Sequence, residues 1–361
     1  MINSPLRLSR KDELKYFPLL ADIEFEKGSR VLILNPNKKA FLNFLGAIPN
    51  VAFCVYQDNL EEEKEIDSVM DSDIPIGNVD LLTKLPASEK FDGALLSLSN
   101  FMSQETFDYW LRRLANYLRE GGVIYVITHK NWGLEGQGEV IKKVLGEMEI
   151  IAKGRGGYRI LRAIKRNNEV QEKQPTLVRF NLFGRSFEMR SLPGLFSWQE
   201  LDEGTRFLLE ETEGKIRRAE KILDLGCGWG VIGVVAGFIN EEAEISMVDV
   251  SRSAILISEE NVRNFGLLNR TKLYLGIESV PSEEFDLVLS NPPFHKKRED
   301  LSFLFRDVKK KIKKGGEIFL VVGEGYKNIF LEILKEAFGF CEVIGERTTK
   351  KGKFFILRSR K

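Results

Sequence analysis

Lys221-Ile222-Leu223-Asp224-Leu225-Gly226-Cys227-Gly228-Trp229-Gly230 reads as a buried strand running into a glycine-rich turn, and Val231 to Phe238 continues as a helix. Strand, glycine turn and helix in that order open an α/β unit whose backbone can approach a ligand closely. The spacing is Asp-Leu-Gly-x-Gly-x-Gly. It is not the Gly-x-Gly-x-x-Gly that seats a pyrophosphate on a helix N-terminus. About 20 residues further on, Glu244 to Asp249 reads as a second strand ending in an acid, where a ribose-binding carboxylate belongs. Taken alone, Asp249 is as well read as a solvated strand-end acid; the loop before it favours the ribose.

The short glycine spacing with Asp224 on the strand suits the amino-acid end of S-adenosylmethionine. The expected cofactor contacts are Asp224, Gly226, Cys227, Gly228, Gly230, Asp249 and Val250. The Cys227 and Trp229 side chains read as packing rather than chemistry.

A second motif says what such a cofactor would do. Phe285 to Ser290 is an apolar run that reads as a buried parallel strand, and Asn291-Pro292-Pro293-Phe294 follows it. Such a tetrad can hold a planar amino group and stack on the ring that carries it. The expected chemistry is methyl transfer to a nitrogen of the NH2–C=N type. The Asn291 side-chain oxygen and the Pro292 carbonyl would accept the two amino hydrogens, with Pro292 and Pro293 stiffening the segment. Phe294 would stack on a base taken out of its helix. Neither a metal nor a covalent intermediate is needed. The plainer reading, a turn with Phe294 in the core, loses ground because the tetrad follows the fourth strand of a domain with a glycine loop.

Composition narrows the class. An apolar share of 43% and a charged share of 30% describe a soluble globular chain, and 361 residues suffice for two domains or three. No apolar run reaches membrane-spanning length, and residues 1–10 lack a signal-peptide core. Three scattered cysteines and two histidines argue for a cytoplasmic setting and against a metal site. A net charge of +1 says little about nucleic acid, but three basic stretches do. They are Lys153 to Arg166, the tail after Glu346, and Lys296-Lys297-Arg298 beside the tetrad. The last is expected to contact RNA; for the longer two, a solvated surface is as good a reading.

The chain carries the same unit twice. Phe91-Asp92 matches Phe285-Asp286 at an offset of 285 − 91 = 194, and Gly121-Gly122 matches Gly315-Gly316 at the same offset. Arg30 to Asn35 resembles Lys221 to Gly226, and Tyr158 to Arg162 resembles Phe354 to Arg358. The fold expected is therefore α/β, two tandem Rossmann-like domains with mostly parallel seven-stranded sheets. The first domain spans 1–166, a polar linker 167–176, and the second domain 177–361. The second is expected to start with a β-hairpin around Gly184 and to hold a helix from Asp300 to Lys313, with Gly315-Gly316 ending that helix and opening the next strand. In the first copy, Asn35 to Lys39 replaces the glycine loop and Ser97 to Phe101 replaces the tetrad. It is expected to be degenerate, with Lys130, Asn131 and Trp132 as candidate RNA contacts or an ordinary polar loop.

These residues resemble a known family, the bacterial ribosomal RNA guanine-N2 methyltransferases of the two-domain RsmC/RlmG type. Leu192 to Ser197 with Leu201 to Thr205 resembles the entry to that family's catalytic domain. Leu223 to Gly228 resembles its cofactor loop, and Ser290 to His295 its catalytic tetrad with a following His. The resemblance implies class I S-adenosylmethionine-dependent methylation of a guanine N2 in ribosomal RNA, by a monomer with a degenerate first domain. Small-subunit RNA is favoured over large-subunit RNA. It adds Asn291, Gly276 and Ile277 to the cofactor contacts, and makes Phe294, His295, Lys296, Lys297 and Arg298 the substrate contacts. The chain departs from the family pattern in the basic Lys296 to Arg298, and in Gly276 where a polar residue commonly meets the adenine. Adenine N6 or a protein glutamine is the alternative acceptor, although such enzymes often carry Tyr where this chain has Phe294. An RNA-binding assembly factor with two inactive domains is the non-enzyme alternative, and the intact second glycine loop speaks against it.

Overall fold

A computed structural model describes residues 17–35, 51–67, 76–78, 90–97, 103–166, 169–294 and 296–361. They divide into two compact units, one ending at Gln174 and the other running from Pro175 to Lys361.

The first unit has strands β1 (Arg30–Leu34), β2 (Ala52–Tyr56), β3 (Ile76–Asn78), β4 (Phe91–Ser97), β5 (Leu118–His129), β6 (Met148–Lys153) and β7 (Tyr158–Ile164). They form one sheet in the order β3-β2-β1-β4-β5-β7-β6, with β7 antiparallel to both its neighbours. Val31 to Leu34 is buried throughout, as befits a central parallel strand covered on both faces. Val31, Ile33, Phe53, Leu95, Tyr125 and Ile160 belong to one core.

The second unit begins with the hairpin β8 (Thr176–Leu182) and β9 (Arg185–Ser191). Phe183 and Gly184 both have positive φ, the geometry of a two-residue turn whose twist matches its strands. Then come α1 (Glu203–Ile216), β10 (Lys221–Leu225), α2 (Val231–Ile239), β11 (Glu244–Asp249), α3 (Arg252–Asn264), β12 (Thr271–Leu275) and β13 (Phe285–Ser290). They are followed by α4 (Arg298–Lys311), β14 (Ile312–Gly323), α5 (Lys327–Phe338), β15 (Glu342–Thr349) and β16 (Gly352–Arg360). The sheet order is β12-β11-β10-β13-β14-β16-β15, with β16 antiparallel. Strand for strand, this is the order of the first unit. The expected α/β fold of two mostly parallel seven-stranded sheets is what forms.

Two boundaries differ from the sequence reading: Thr176, expected to end the linker, is already paired with Ser191 in β8, and a helix is displaced. The helix expected over Asp300 to Lys313 starts at Arg298 and stops at Lys311. Ile312, which fits the apolar stripe of that helix, is instead a fully buried strand residue paired with Phe285. A bulge then lets Leu287 pair with Glu317. Gly316 is required inside that bulge, because a Cβ there would lie 2.7 Å from the Phe285 carbonyl oxygen. The glycines thus belong to the strand, as expected, but do not end the helix, which stops at Lys311.

In the second unit the winding changes direction between β10 and β13, since β11 and β12 lie on one side and β14 on the other. Neighbouring loops at the carboxyl ends of β10 and β13 part there and leave a crevice, the place where open α/β sheets bind ligands.

Candidate active site

Leu225 and Ser290 are in register on β10 and β13, so Gly226 and Asn291 emerge side by side from the sheet. The buried Ser290 hydroxyl donates to the Leu225 carbonyl at 2.7 Å and fastens the two strand ends together.

The glycine loop folds back on β11. The Gly226 and Cys227 amides donate to the Val248 carbonyl at 2.8 and 3.0 Å. Gly226 and Gly228 have φ of +76° and +55°, and a Cβ on either would meet nothing within 4 Å. Their backbone therefore faces open space, as a ligand cradle requires. Gly230 differs. Its φ is +86° and a Cβ would lie 2.9 Å from Ser258 Oγ, so this glycine serves packing against α3.

Two carboxylates flank the loop. Asp249 accepts the Gly228 amide through Oδ2 and the Ser251 amide through Oδ1, both at 2.9 Å. A carboxylate at the end of the second strand of such a unit is where ribose hydroxyls are met. Asp224 lies fully buried beneath the loop. Its Oδ2 accepts the Gly233 amide at 2.9 Å, while Oδ1 has no partner. Burial pushes its pKa up to about 7, against the effect of the Gly233 amide and aided by the nearby charge of Asp249. An unsatisfied acceptor directly under an open cradle fits a ligand that carries an ammonium group. These features suit the amino-acid and ribose ends of S-adenosylmethionine. When bound, that cofactor supplies a methyl group activated on a sulfonium.

The remaining expected cofactor residues are used differently. The Cys227 thiol is buried against Ser258 Oγ at 3.6 Å, and burial raises its pKa well above the usual range. Val250 is half-buried in the bend after β11. The Gly276 amide donates to the Asp249 carbonyl, and the Gly276 carbonyl accepts both the Ser279 amide and hydroxyl. These backbone groups are engaged within the protein rather than turned to an adenine. Ile277 packs against the core.

Asn291 is half-buried, and both hydrogens of its amide are committed. Nδ2 lies 3.0 Å from Asp202 Oδ2 and 3.0 Å from Thr205 Oγ1. The amide oxygen is left for another partner. Asp202 and Thr205 belong to the Leu201 to Thr205 stretch that resembles the entry to the family's catalytic domain, but nothing in the sequence ties them to Asn291, which lies 89 and 86 residues further on. Asp202 is also the N-cap of α1, accepting the Thr205 amide at 2.8 Å. Pro292 is buried, Pro293 exposed and Phe294 half-buried. Phe294 stacks on Tyr326, with 4.8 Å between ring centroids and 24° between planes, and meets Phe330 edge-on. Tyr326 is a second contributor that sequence reasoning missed, since it follows a different strand.

The segment between hairpin and helix covers the loop from above. Trp229 is buried, and its indole N–H donates to the Phe196 carbonyl at 3.1 Å. Asn261, fully buried on α3, donates to the Arg190 and Trp229 carbonyls and accepts the Arg190 amide, all at 2.8 Å. Hairpin, glycine loop and α3 are thereby one hydrogen-bonded body.

Of the expected substrate contacts, His295 lies outside the described residues. Lys296 is half-buried and Lys297 exposed. Arg298 turns away onto α5, where it meets Glu332 at 2.7 Å and Glu336 at 2.5 Å. Of the longer basic stretches, the tail is largely matched by acids, and Lys153 to Arg166 is, among the described residues, matched only at its end. Arg162 pairs with Glu149 and Arg166 with Glu147, while Lys351 pairs with Glu200, Lys353 with Glu346 and Arg358 with Glu317. In the first unit, Asn35 keeps a positive φ and holds the Asp58 amide at 2.8 Å. Residues 36–39 and 98–101, which replace the loop and tetrad, lie outside the described residues. Lys130 is exposed, the Asn131 amide donates to His129 Nδ1, and Trp132 lies 5.3 Å from the His129 ring and packs on the core. Among the described residues, no group of three His, Cys, Asp or Glu side chains could hold a metal, and no helix is long and apolar enough to cross a membrane.

Comparison with known proteins fits this geometry. Residues 186–358 match the family described as Methyltransferase small domain. Ribosomal RNA small subunit methyltransferase C of Pseudomonas entomophila is 30% identical over 262 residues, covering 71% of this chain and 76% of the relative. Ribosomal RNA large subunit methyltransferase G of Stutzerimonas stutzeri is 29% identical over 352 residues, 92% of this chain and 87% of the relative. Among solved structures, the T. thermophilus 16S rRNA N2 methyltransferase RsmC, in complex with AdoMet and guanosine, superposes with a TM-score of 0.78 at 21% identity. That superposition covers 98% of this chain and 93% of the other, and its low identity speaks to the fold alone.

Proposed function

The chain belongs to the RsmC/RlmG-type ribosomal RNA methyltransferases, and on that footing we propose that it methylates the exocyclic N2 of a guanine in ribosomal RNA with S-adenosylmethionine as donor. One juxtaposition carries the reading. An amide oxygen with no competing internal role, that of Asn291, stands beside an open glycine cradle across a single pair of hydrogen-bonded strands.

The chain's residues have a positioning task. The guanine amino nitrogen is a poor nucleophile, because its lone pair is delocalised into the ring. The Asn291 oxygen and the Pro292 carbonyl accept its two hydrogens and turn the remaining lone pair toward the cradle. The same two acceptors stabilise the positive charge that develops on the nitrogen. Phe294, braced by Tyr326 and Phe330, offers a fixed ring on which the extruded base stacks. Asp224 and Asp249 receive the ammonium and the ribose hydroxyls of the cofactor. The first unit acts in substrate positioning or support, and the second unit performs the chemistry.

Small-subunit RNA is the favoured substrate. Large-subunit RNA is a second reading, supported by the relative from Stutzerimonas stutzeri, whose match extends over most of both chains. Tritiated-methyl transfer to unmodified RNA of each subunit, free and assembled, separates the two. Label entering small-subunit material is expected; label confined to large-subunit material reverses the choice, and label in neither sinks the proposal.

A further inference from the structure

Asparagine is an ambiguous residue for recognising an amino group. Its side chain ends in an acceptor and a donor of nearly equal size, and rotating the amide exchanges them. A site that must accept two amino hydrogens needs that rotation blocked. We infer that Asp202 and Thr205 are positioning residues that lock the Asn291 amide, so that only its oxygen faces the substrate; this deepens the methyltransferase reading above and rests on it.

Three observations support the lock. Both acceptors lie 3.0 Å from Asn291 Nδ2, one for each hydrogen. A rotated amide would lose the bond to Asp202 and set its oxygen against that carboxylate, acceptor facing acceptor, while the Thr205 hydroxyl, which can donate or accept, holds the second hydrogen in the orientation that Asp202 selects. Asp202 is itself immobilised, because the oxygen that receives Asn291 also caps α1 through the Thr205 amide at 2.8 Å. The turn between them is compact: a Cβ on Gly204 would lie 3.0 Å from Asp202 Oδ2 and 3.1 Å from the Phe354 ring. Asp202, Gly204 and Thr205 thus act as one rigid bracket, held from outside by Phe354.

The bracket has an electrostatic consequence as well. A hydrogen bond to a carboxylate is stronger than one to a neutral acceptor, and it polarises the amide that donates it. The Asn291 oxygen therefore becomes a better acceptor for an amino group that gains positive charge. The geometry selects for a donor at that point of the substrate and against a carbonyl.

Two readouts test the lock, one of them independent of activity. In the full-length protein, the Asn291 side-chain amide is identified by NMR as the signal pair lost in Asn291→Asp. Both its protons are expected to exchange slowly with water, and in Thr205→Val one of them should exchange quickly. In methyl transfer, Thr205→Val should lower kcat roughly tenfold, the loss of about one hydrogen bond, with KM for RNA and S-adenosylmethionine affinity within about twofold of wild type. Thr205→Ser, which keeps the acceptor, should restore both readouts. Asp202→Ser keeps a capping oxygen but shortens its reach, and should reproduce the Thr205→Val behaviour should that variant fold poorly. Slow exchange of both Asn291 protons in Thr205→Val and Asp202→Ser, or failure of Thr205→Ser to recover kcat, would overturn the lock. A wild-type protein that makes no N2-methylguanosine defeats the functional proposal instead, and the exchange measurement still decides the lock.

Discussion

Tyr326 lies stacked on Phe294, with 4.8 Å between the ring centroids. One face of the ring that should receive the substrate base is therefore covered by the protein itself. The base must take the opposite face, with Tyr326 acting as backing. An aromatic pair of this kind contributes about 0.5–1.5 kcal/mol beyond area burial. Tyr326→Ala should leave S-adenosylmethionine affinity unchanged and raise KM for RNA roughly fivefold, as read from steady-state methyl transfer. An unchanged KM would show that Phe294 needs no backing.

The loop glycines should separate cofactor binding from folding. In Gly228→Ala the new methyl enters open space where a ligand would lie. Calorimetry should then show S-adenosylmethionine affinity lowered at least about tenfold, while the left-handed φ costs on the order of 1 kcal/mol of stability. Gly230→Ala instead meets Ser258 Oγ at 2.9 Å at the same kind of φ. It should lose more stability than Gly228→Ala, read as the larger drop in melting temperature. The opposite ranking would place the cradle at Gly230.

Asp224 should make the ligand-free protein less stable as pH rises. Its pKa is raised from 3.8 to about 7 in the folded state, so between those values the folded chain binds more protons than the unfolded one. Stability is then greatest toward pH 4 and declines through pH 7. Asp224→Asn keeps an acceptor for the Gly233 amide and removes the buried charge. It should be more stable than wild type at pH 8, by a few kcal/mol at most, with the difference vanishing toward pH 4. Denaturant unfolding at the two pH values checks this, and the same variant should bind S-adenosylmethionine more weakly.

Lys297 and Arg298 are neighbours with opposite expectations. Arg298 is neutralised by Glu332 and Glu336, whereas Lys297 is exposed at the start of α4. Lys297→Ala should reduce the salt dependence of RNA binding by about one phosphate contact. Arg298→Ala should leave that slope unchanged and cost less than about 1 kcal/mol of stability, as exposed ion pairs do. Filter binding over a salt series distinguishes them.

What was legible in the sequence follows from the range of each signal. Local patterns were readable: the strand and glycine turn from Lys221 to Gly230, the hairpin around Gly184, and the tetrad after β13. The duplication was readable because whole blocks recur at near-constant offsets, and the two sheets share one strand order. The bracket from Asp202 and Thr205 and the backing by Tyr326 were not readable. They join elements far apart in the chain, and each residue has an ordinary local reading. The basic stretches could not be resolved into nucleic-acid surface or solvated surface from the sequence, because partners such as Glu317 for Arg358 and Glu332 for Arg298 come from other elements. Ile312 misled for a related reason: an apolar residue at helical spacing is also what a buried strand start requires.

The most direct test of the central claim is nucleoside analysis of ribosomal RNA methylated in vitro by the wild-type protein and by Asn291→Ala. N2-methylguanosine formed by the wild type and absent with Asn291→Ala is the predicted result. N6-methyladenosine, or N2-methylguanosine formed equally well by both proteins, would contradict it.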